Sequence, residues 1–449
     1  MKKEIMTSRK NPFCLLLLPR ASGASGACLA FLLMLPALAA CFTACDDDDN
    51  DSSTYNPSAP AVISSFMPDS GGIRTKFIVK GSNFGPDTSR IRVLFSEEDE
   101  QATIIGANNE TIYCLVPKQS DGDNRVTVVA GSDSLVFDGT FHYNVSQSVS
   151  TIVGISGTGG SDDGTLSSAL VQRTFGIAAV HGGDLLTFEA LSGNVRYIAI
   201  ADNAVNTVQT GFFGAQPAIS EDRRKVYCIG KNAGDHKVVL FDYDNLWEPV
   251  TLVSNIAGSL SVIYSCALDD TEKYLYFRDK SGKFGRLELA RPSNVVILNE
   301  HVGTVGSTDY SYLVYSPVDD CFFLTVQYVN GIYKISKDGQ TVEDFIGFNG
   351  QGTTDGPALE CKLMYPAGIT VDSKGNLYWC DSSGPTIRKY TRNSGYVSTL
   401  AGIAGTFGGD DGKPLESTFN YPYCINADEE DNFFIGESWG VTIRELAIQ

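Results

Sequence analysis

At 449 residues the chain exceeds one ordinary domain and has room for a small domain beside a large repetitive one. Its 45 glycines and 10% aromatic content suit an all-β protein rich in turns. The formal charge of −19 argues against nucleic acid as a partner, since phosphate binding needs clustered Lys and Arg, and equally against electrostatic docking on anionic lipid.

Lys2, Lys3, Arg9, Lys10 and Arg20 precede an apolar stretch from Cys28 to Ala40, so residues 1–45 are predicted to be a targeting segment. The stretch is too short and too early for a transmembrane helix. Two cysteines follow as lipidation candidates. Leu38-Ala39-Ala40-Cys41 fits a lipobox closely, whereas Phe42-Thr43-Ala44-Cys45 fits less well at its first position but leads directly into Asp46–Asp49. The combination resembles the lipoproteins of glycan-foraging Gram-negative bacteria. That resemblance implies Cys45 as the lipidated residue, with Cys41 as the alternative, and export to the outer face of the outer membrane on a lipid anchor. A cleaved secretory signal without lipid is the other reading. Residues 46–59 hold little to bury and are predicted to form an acidic, flexible tether.

Short alternating runs follow from Pro60 to about residue 145: Lys76 to Lys80, Ile91 to Phe95, Ile112 to Val116, Arg125 to Ala130 and Phe141 to Tyr143. Separated by Gly, Asp and Pro turns, they predict a small β-sandwich. Gly81-Ser-Asn-Phe-Gly85 and the Val116-Pro117 pair make this run similar to the IPT/TIG family of immunoglobulin-like domains. The resemblance implies a spacer, although some members bind partners.

Residues 147–449 repeat. The clearest units begin at Pro366 and Pro422, and Asp372/Asp428 and Arg388/Arg444 keep the same offset of 56 positions. Each unit supplies an apolar strand, a turn at Gly375-Asn376 or Asp431-Asn432, a second strand, a polar loop and a third strand. The pattern resembles the NHL repeat of β-propellers. Earlier units match by rhythm, around Phe175, Pro217, Ile263 and Tyr312. Six units in about 300 residues imply a six-bladed NHL-type β-propeller; seven blades would need a different partition of residues 200–310.

One segment occurs twice. Val149 to Gly164 (VSTIVGISGTGGSDDG) and Val397 to Gly412 (VSTLAGIAGTFGGDDG) share 11 of 16 residues, and a looser copy ends at Asp355-Gly356. Val397–Ala401 is predicted to be the outer strand of the fifth blade, and residues 149–153 to supply the missing outer strand of the sixth. That pairing would close the ring and hide two strand edges.

Chemistry is sparse in the sequence. His142, His181, His236 and His301 have no metal-site spacing, and the seven cysteines from Cys114 to Cys424 sit in apolar runs as expected for buried thiols. No nucleophile elbow or P-loop is present. Some NHL-like propellers are lyases, but the residues here predict no enzyme, no cofactor and no metal site. Asp162-Asp163-Gly164 and Asp410-Asp411-Gly412 read either as tight turns or as oxygen ligands for calcium.

Trp439 lies in the loop Glu437-Ser-Trp-Gly440, on the propeller face that also carries the Asp-Gly loops. Trp439, Glu437, Asp410, Asp411, Asp162 and Asp163 are therefore the candidate ligand-binding residues: a sugar stacks on the indole while carboxylates accept from its hydroxyls. A rim tryptophan packed on its own blade is the alternative. The anchor and architecture imply non-catalytic capture of a polysaccharide or glycoconjugate beside an outer-membrane transporter complex. A protein-interaction scaffold is the second expectation, and a propeller lyase or hydrolase the third.

Overall fold

The computed structural model describes residues 55–448, apart from 97–98, 120, 257–258 and 304–309. The expected signal segment, Cys41, Cys45 and most of the acidic tether lie outside the described residues.

The first domain is a pair of sheets. One orders Val62–Met67, Lys76–Ser82, Thr111–Leu115 and Thr103–Ala107; the other orders Ser70–Gly71, Asp133–Tyr143, Gly122–Ala130, Ile91–Phe95 and Glu100–Gln101. Alternation decides which side chains meet between them. Phe77 and Val79 point inward while Lys76 and Lys80 face water. Phe77, Phe95 and Phe141 pack edge to face at 5.1–5.5 Å, each wholly buried.

Six further sheets follow in a propeller-like array. Sheets one to four are consecutive four-stranded meanders whose innermost strands are Thr174–Ala179, Ala218–Ile219, Ile263–Leu268 and Ser311–Ser316. Sheet five starts at Pro366–Val371 and gains a short fifth strand, Gly356–Pro357, beside its outer strand Tyr396–Ala401. Sheet six begins at Pro422–Ala427 and continues through Phe433–Glu437 to Ile443–Ile448. Its fourth strand comes from the other end of the array: Gln147–Val153 pairs antiparallel with Ile443–Ile448, from Gln147 opposite Ile448 to Thr151 opposite Arg444.

Inner strands are buried on both faces and so read as nearly continuous apolar runs, Ile263–Leu268 being buried at every position. Each packs against the inner strand of the next sheet, and that of sheet six packs against that of sheet one. The approach is close enough to demand glycine. A Cβ on Gly176 would lie 2.0 Å from the Ala215 carbonyl oxygen, and one on Gly368 2.7 Å from Cys424 Cα. All seven cysteines of the described residues are buried and unpaired, and burial pushes the thiols up, to about 12 for Cys114 and Cys266.

Candidate functional site

The Asp-Gly loops and the loop of Trp439 both lie at the leading ends of the inner strands. The structure gives the carboxylates a specific occupation there. Asp163 bonds the Arg196 guanidinium at 2.9 Å, Asp355 bonds Arg388 at 2.9 Å, and Asp411 bonds Arg444 at 2.7 Å. Each arginine comes from the third strand of its sheet and is wholly buried. Its other nitrogen faces a second buried acid at the end of the preceding strand: Glu189 at 3.1 Å, Asp381 at 2.8 Å and Glu437 at 3.8 Å. A threonine on the outer strand completes every clamp, Thr207, Thr399 and Thr151 donating to the loop aspartate at 2.9, 3.0 and 3.0 Å.

The duplicated sequence now has a physical reason. Val149-Ser150-Thr151 and Val397-Ser398-Thr399 each place a threonine where a loop aspartate needs a donor, and Val149 exchanges backbone hydrogen bonds with Gly412. These bonds are what the aspartate-glycine turns are for. Asp163 and Asp411 are about half exposed but held by arginine, while Asp162 and Asp410 use their carbonyls as further acceptors for Arg196 and Arg444. Among the described residues no group of three or more His, Cys, Asp or Glu could hold a metal ion.

Glu437 requires a correction of its expected setting. It is the last residue of a strand rather than part of a loop, and it is wholly buried. It accepts from Asn420 N–H at 2.6 Å and from the Thr442 hydroxyl, and it faces Arg444, so it is not presented to a ligand. Burial raises its carboxyl from 4.5 to about 7, against the opposing pull of Thr442 and Arg444. The folded state thus binds this proton more tightly than the unfolded chain. The contribution is fully favourable below about pH 4.5 and is lost as pH rises towards about 7. Glu437→Gln should therefore gain stability relative to the parent across that window, read by urea unfolding at several pH values. A stability difference that stays constant with pH would disprove the shift.

Trp439 is where the loop reading placed it, 54% exposed. Its ring packs against a cation and a second ring. The Arg173 guanidinium lies 3.6 Å from the centre of its ring, Tyr421 is at 6.3 Å, and Tyr421 stacks on Phe407 at 4.6 Å. Phe407 is 44% exposed, so the three rings form a ridge with apolar surface open to water. Arg173, Tyr421 and Phe407 come from three separate segments, and nothing in the local sequence marks them as partners.

A cavity of about 440 Å³ lies along the inner strands of sheets two to six, with Gln216, Leu313, Thr370 and Asn426 in its wall and Arg223 and Asp269 towards the trailing ends. Arg223 ties the array together there, donating to the Ala179 and Ala427 carbonyls at 2.9 and 2.7 Å. The histidines do not converge on this cavity. His142 pairs with Asp123 in the first domain, His181 packs on Tyr243, and His236 bonds the Gly230 carbonyl.

Fold and ridge define an all-β protein with an immunoglobulin-like domain ahead of a propeller-like array, and the IPT/TIG domain family matches residues 61–143. Over 88% of this chain and all of the other, the structure is similar to a structural genomics protein of unknown function from Bacteroides thetaiotaomicron VPI-5482, with 39% identity and a TM-score of 0.80. The chain belongs to the same family as that protein. Two auxiliary nutrient binding proteins share the fold, one from B. thetaiotaomicron VPI-5482 (20% identity, TM-score 0.58) and one from B. ovatus ATCC 8483 (19%, 0.59). Each matches over 88% of this chain and 99% of its own. No curated protein matches the sequence.

Proposed function

We propose that the chain is a lipoprotein of the outer membrane, anchored through Cys45 and facing the exterior, that captures a polysaccharide or glycoconjugate without acting on it chemically. Its six sheets serve as the blades of an NHL-type propeller closed by residues 147–153, and residues 60–145 serve as the spacer between membrane and ring. An uptake transporter in the same membrane is the partner that would receive the ligand.

The observation that carries this reading is the exposed ridge of Phe407, Tyr421 and Trp439 with Arg173 packed on the indole. Flat apolar rings left open to water beside a fixed cation suit the C–H faces and hydroxyls of sugars, and isolated exposed aromatics of this size rarely cluster without a partner. The shared fold with proteins described as auxiliary nutrient binding proteins supports the same reading. Buried clamps hold the surrounding loops, so the ridge is rigid before the ligand arrives.

One experiment on whole cells tests anchor and ridge together. Trp439→Ala should leave the protein on the cell and weaken binding of a glycan-array hit by roughly 1–3 kcal/mol, the scale of aromatic stacking on flat ligands. Cys45→Ala should release the protein with binding intact, and Cys41→Ala should do neither. Unaltered binding by Trp439→Ala would move the site away from the ridge, and retention of both cysteine variants would remove the lipid anchor.

A further inference from the structure

Next to the ridge, five more rings meet at the leading ends of the inner strands. Phe175 stacks on Tyr423 at 4.3 Å, Tyr423 meets Tyr312 at 5.7 Å, Tyr312 meets Tyr264 at 6.4 Å, and Tyr264 meets Tyr310 at 4.6 Å. Arg173 and Tyr421 of the ridge stand two positions before Phe175 and Tyr423, so the chain runs from the ridge directly into these rings. Phe175 and Tyr310 remain partly exposed, whereas Tyr264, Tyr312 and Tyr423 are buried as its wall and base.

Two lysines overhang this basin. Lys231 Nζ is 5.2 Å from the centre of the Phe175 ring, and Lys280 Nζ is 5.7 Å from that of Tyr310. One peptide unit anchors both backbones from either side: Ile263 N–H donates to the Lys231 carbonyl at 3.0 Å, and Lys280 N–H donates to the Val262 carbonyl at 2.7 Å, so the two lysines flank that segment. Neither ammonium has a carboxylate within ion-pair distance among the described residues. Burial pulls the Lys231 ammonium below its ordinary pKa, with no acid beside it to offset the desolvation.

Buried polar atoms lie beneath these rings. Gln216 crosses its base, donating to the Ile425 carbonyl at 3.4 Å while its buried Oε1 has no hydrogen-bond donor. Tyr312 Oη and Gln327 Nε2 are buried beside the Tyr423 hydroxyl without reaching hydrogen-bond geometry. Partly exposed rings flanked by two lysines that meet no carboxylate among the described residues leave both ammonium groups available to an anion.

We propose that this basin is a subsite for an anionic sugar residue, whose ring lies on the aromatic surface and whose acid group pairs with Lys231 or Lys280 at its rim. The proposal rests on glycan capture by the adjoining ridge and adds the class of glycan. The anion can be a carboxylate, as in a hexuronate, or a sulfate; either pairs with an ammonium group.

Calorimetry on the full chain in detergent distinguishes these cases, using an oligogalacturonate, a sulfated oligosaccharide and a neutral oligosaccharide of equal length. An acidic oligomer should bind at least about tenfold tighter than the neutral one, with an advantage that shrinks as salt rises. The double variant Lys231→Met/Lys280→Met keeps the apolar stems and should erase that advantage while leaving neutral binding unchanged. Lys231→Gln provides a milder variant if the double one melts early. Whichever acidic oligomer shows the salt-dependent gain identifies carboxylate or sulfate. Equal affinity for acidic and neutral oligomers, or an advantage that survives loss of both lysines, overturns the anionic subsite and leaves capture by the ridge standing. Absence of binding to every sugar overturns the capture reading itself.

Discussion

Arg388→Ala is expected to lower the unfolding free energy by about 3–5 kcal/mol, the scale for breaking a buried ion pair from one side. Arg388 is wholly buried between Asp381, also wholly buried, and the half-exposed Asp355. Removing the guanidinium strands Asp381, whose remaining side-chain partner is the indole N–H of Trp379 at 3.0 Å. Burial already pushes the Asp381 carboxyl above its ordinary range, so its charge depends on this arginine. The double change Arg388→Met with Asp381→Asn should cost less than Arg388→Ala, because no uncompensated charge is left behind. Asp355→Asn should cost at most about 1 kcal/mol, since that carboxylate is screened by water. Denaturant unfolding of the three variants gives the comparison. Equal losses from Asp355→Asn and Arg388→Ala would mean that the outer half of the clamp carries the energy instead.

Deleting Gln147–Val153 is expected to cost about 3–6 kcal/mol, from two valines worth about 1.5–3 kcal/mol each when fully buried. Val149 and Val153 are each 1% exposed, and the ladder to Ile443–Ile448 and the Thr151–Asp411 bond are lost with them. The strand Ile443–Ile448 then becomes an open edge, so the variant should also associate on heating. The matched control removes residues 60–143. Its polar links to the array are peripheral: Arg74 pairs with Glu430 at 2.7 Å between side chains 70% and 45% exposed, and Lys118 donates to the Glu430 carbonyl. Similar melting of the two deletions would show that the strand does not hold the array together.

Much of this architecture was legible in the sequence because it is periodic. Strand-turn-strand units around Pro366 and Pro422, the immunoglobulin-like runs before residue 145 and the paired copies at Val149 and Val397 all mark elements that form in place. The clamps were legible too, by a signal that is easily passed over. Each buried arginine follows its loop aspartate by 33 positions, as in Asp163/Arg196, Asp355/Arg388 and Asp411/Arg444. Glu189 and Asp381 each stand seven positions before their arginine. The pairing stayed hidden because an aspartate-glycine pair is also a common turn, and only burial of the arginine decides between the two. Glu437 was misplaced because its strand ends on that very residue. Of the ridge only Trp439 was legible, and the basin was not. Phe407, Tyr421 and Trp439 lie in separate loops around sheet six, and Arg173 and Phe175 reach Trp439 and Tyr423 only because sheet six packs against sheet one.

The join between the two domains has a mechanical consequence. The last strand of the first domain, Asp133–Tyr143, is separated from Gln147–Val153 by three residues, 144–146. A pull on the first domain while the ridge holds a ligand is therefore delivered along the axis of that strand. Its antiparallel hydrogen bonds to Ile443–Ile448 run across the line of force, so they resist in shear as a group rather than parting one after another. The seam between Gln147–Val153 and Ile443–Ile448 is therefore loaded in its strongest direction.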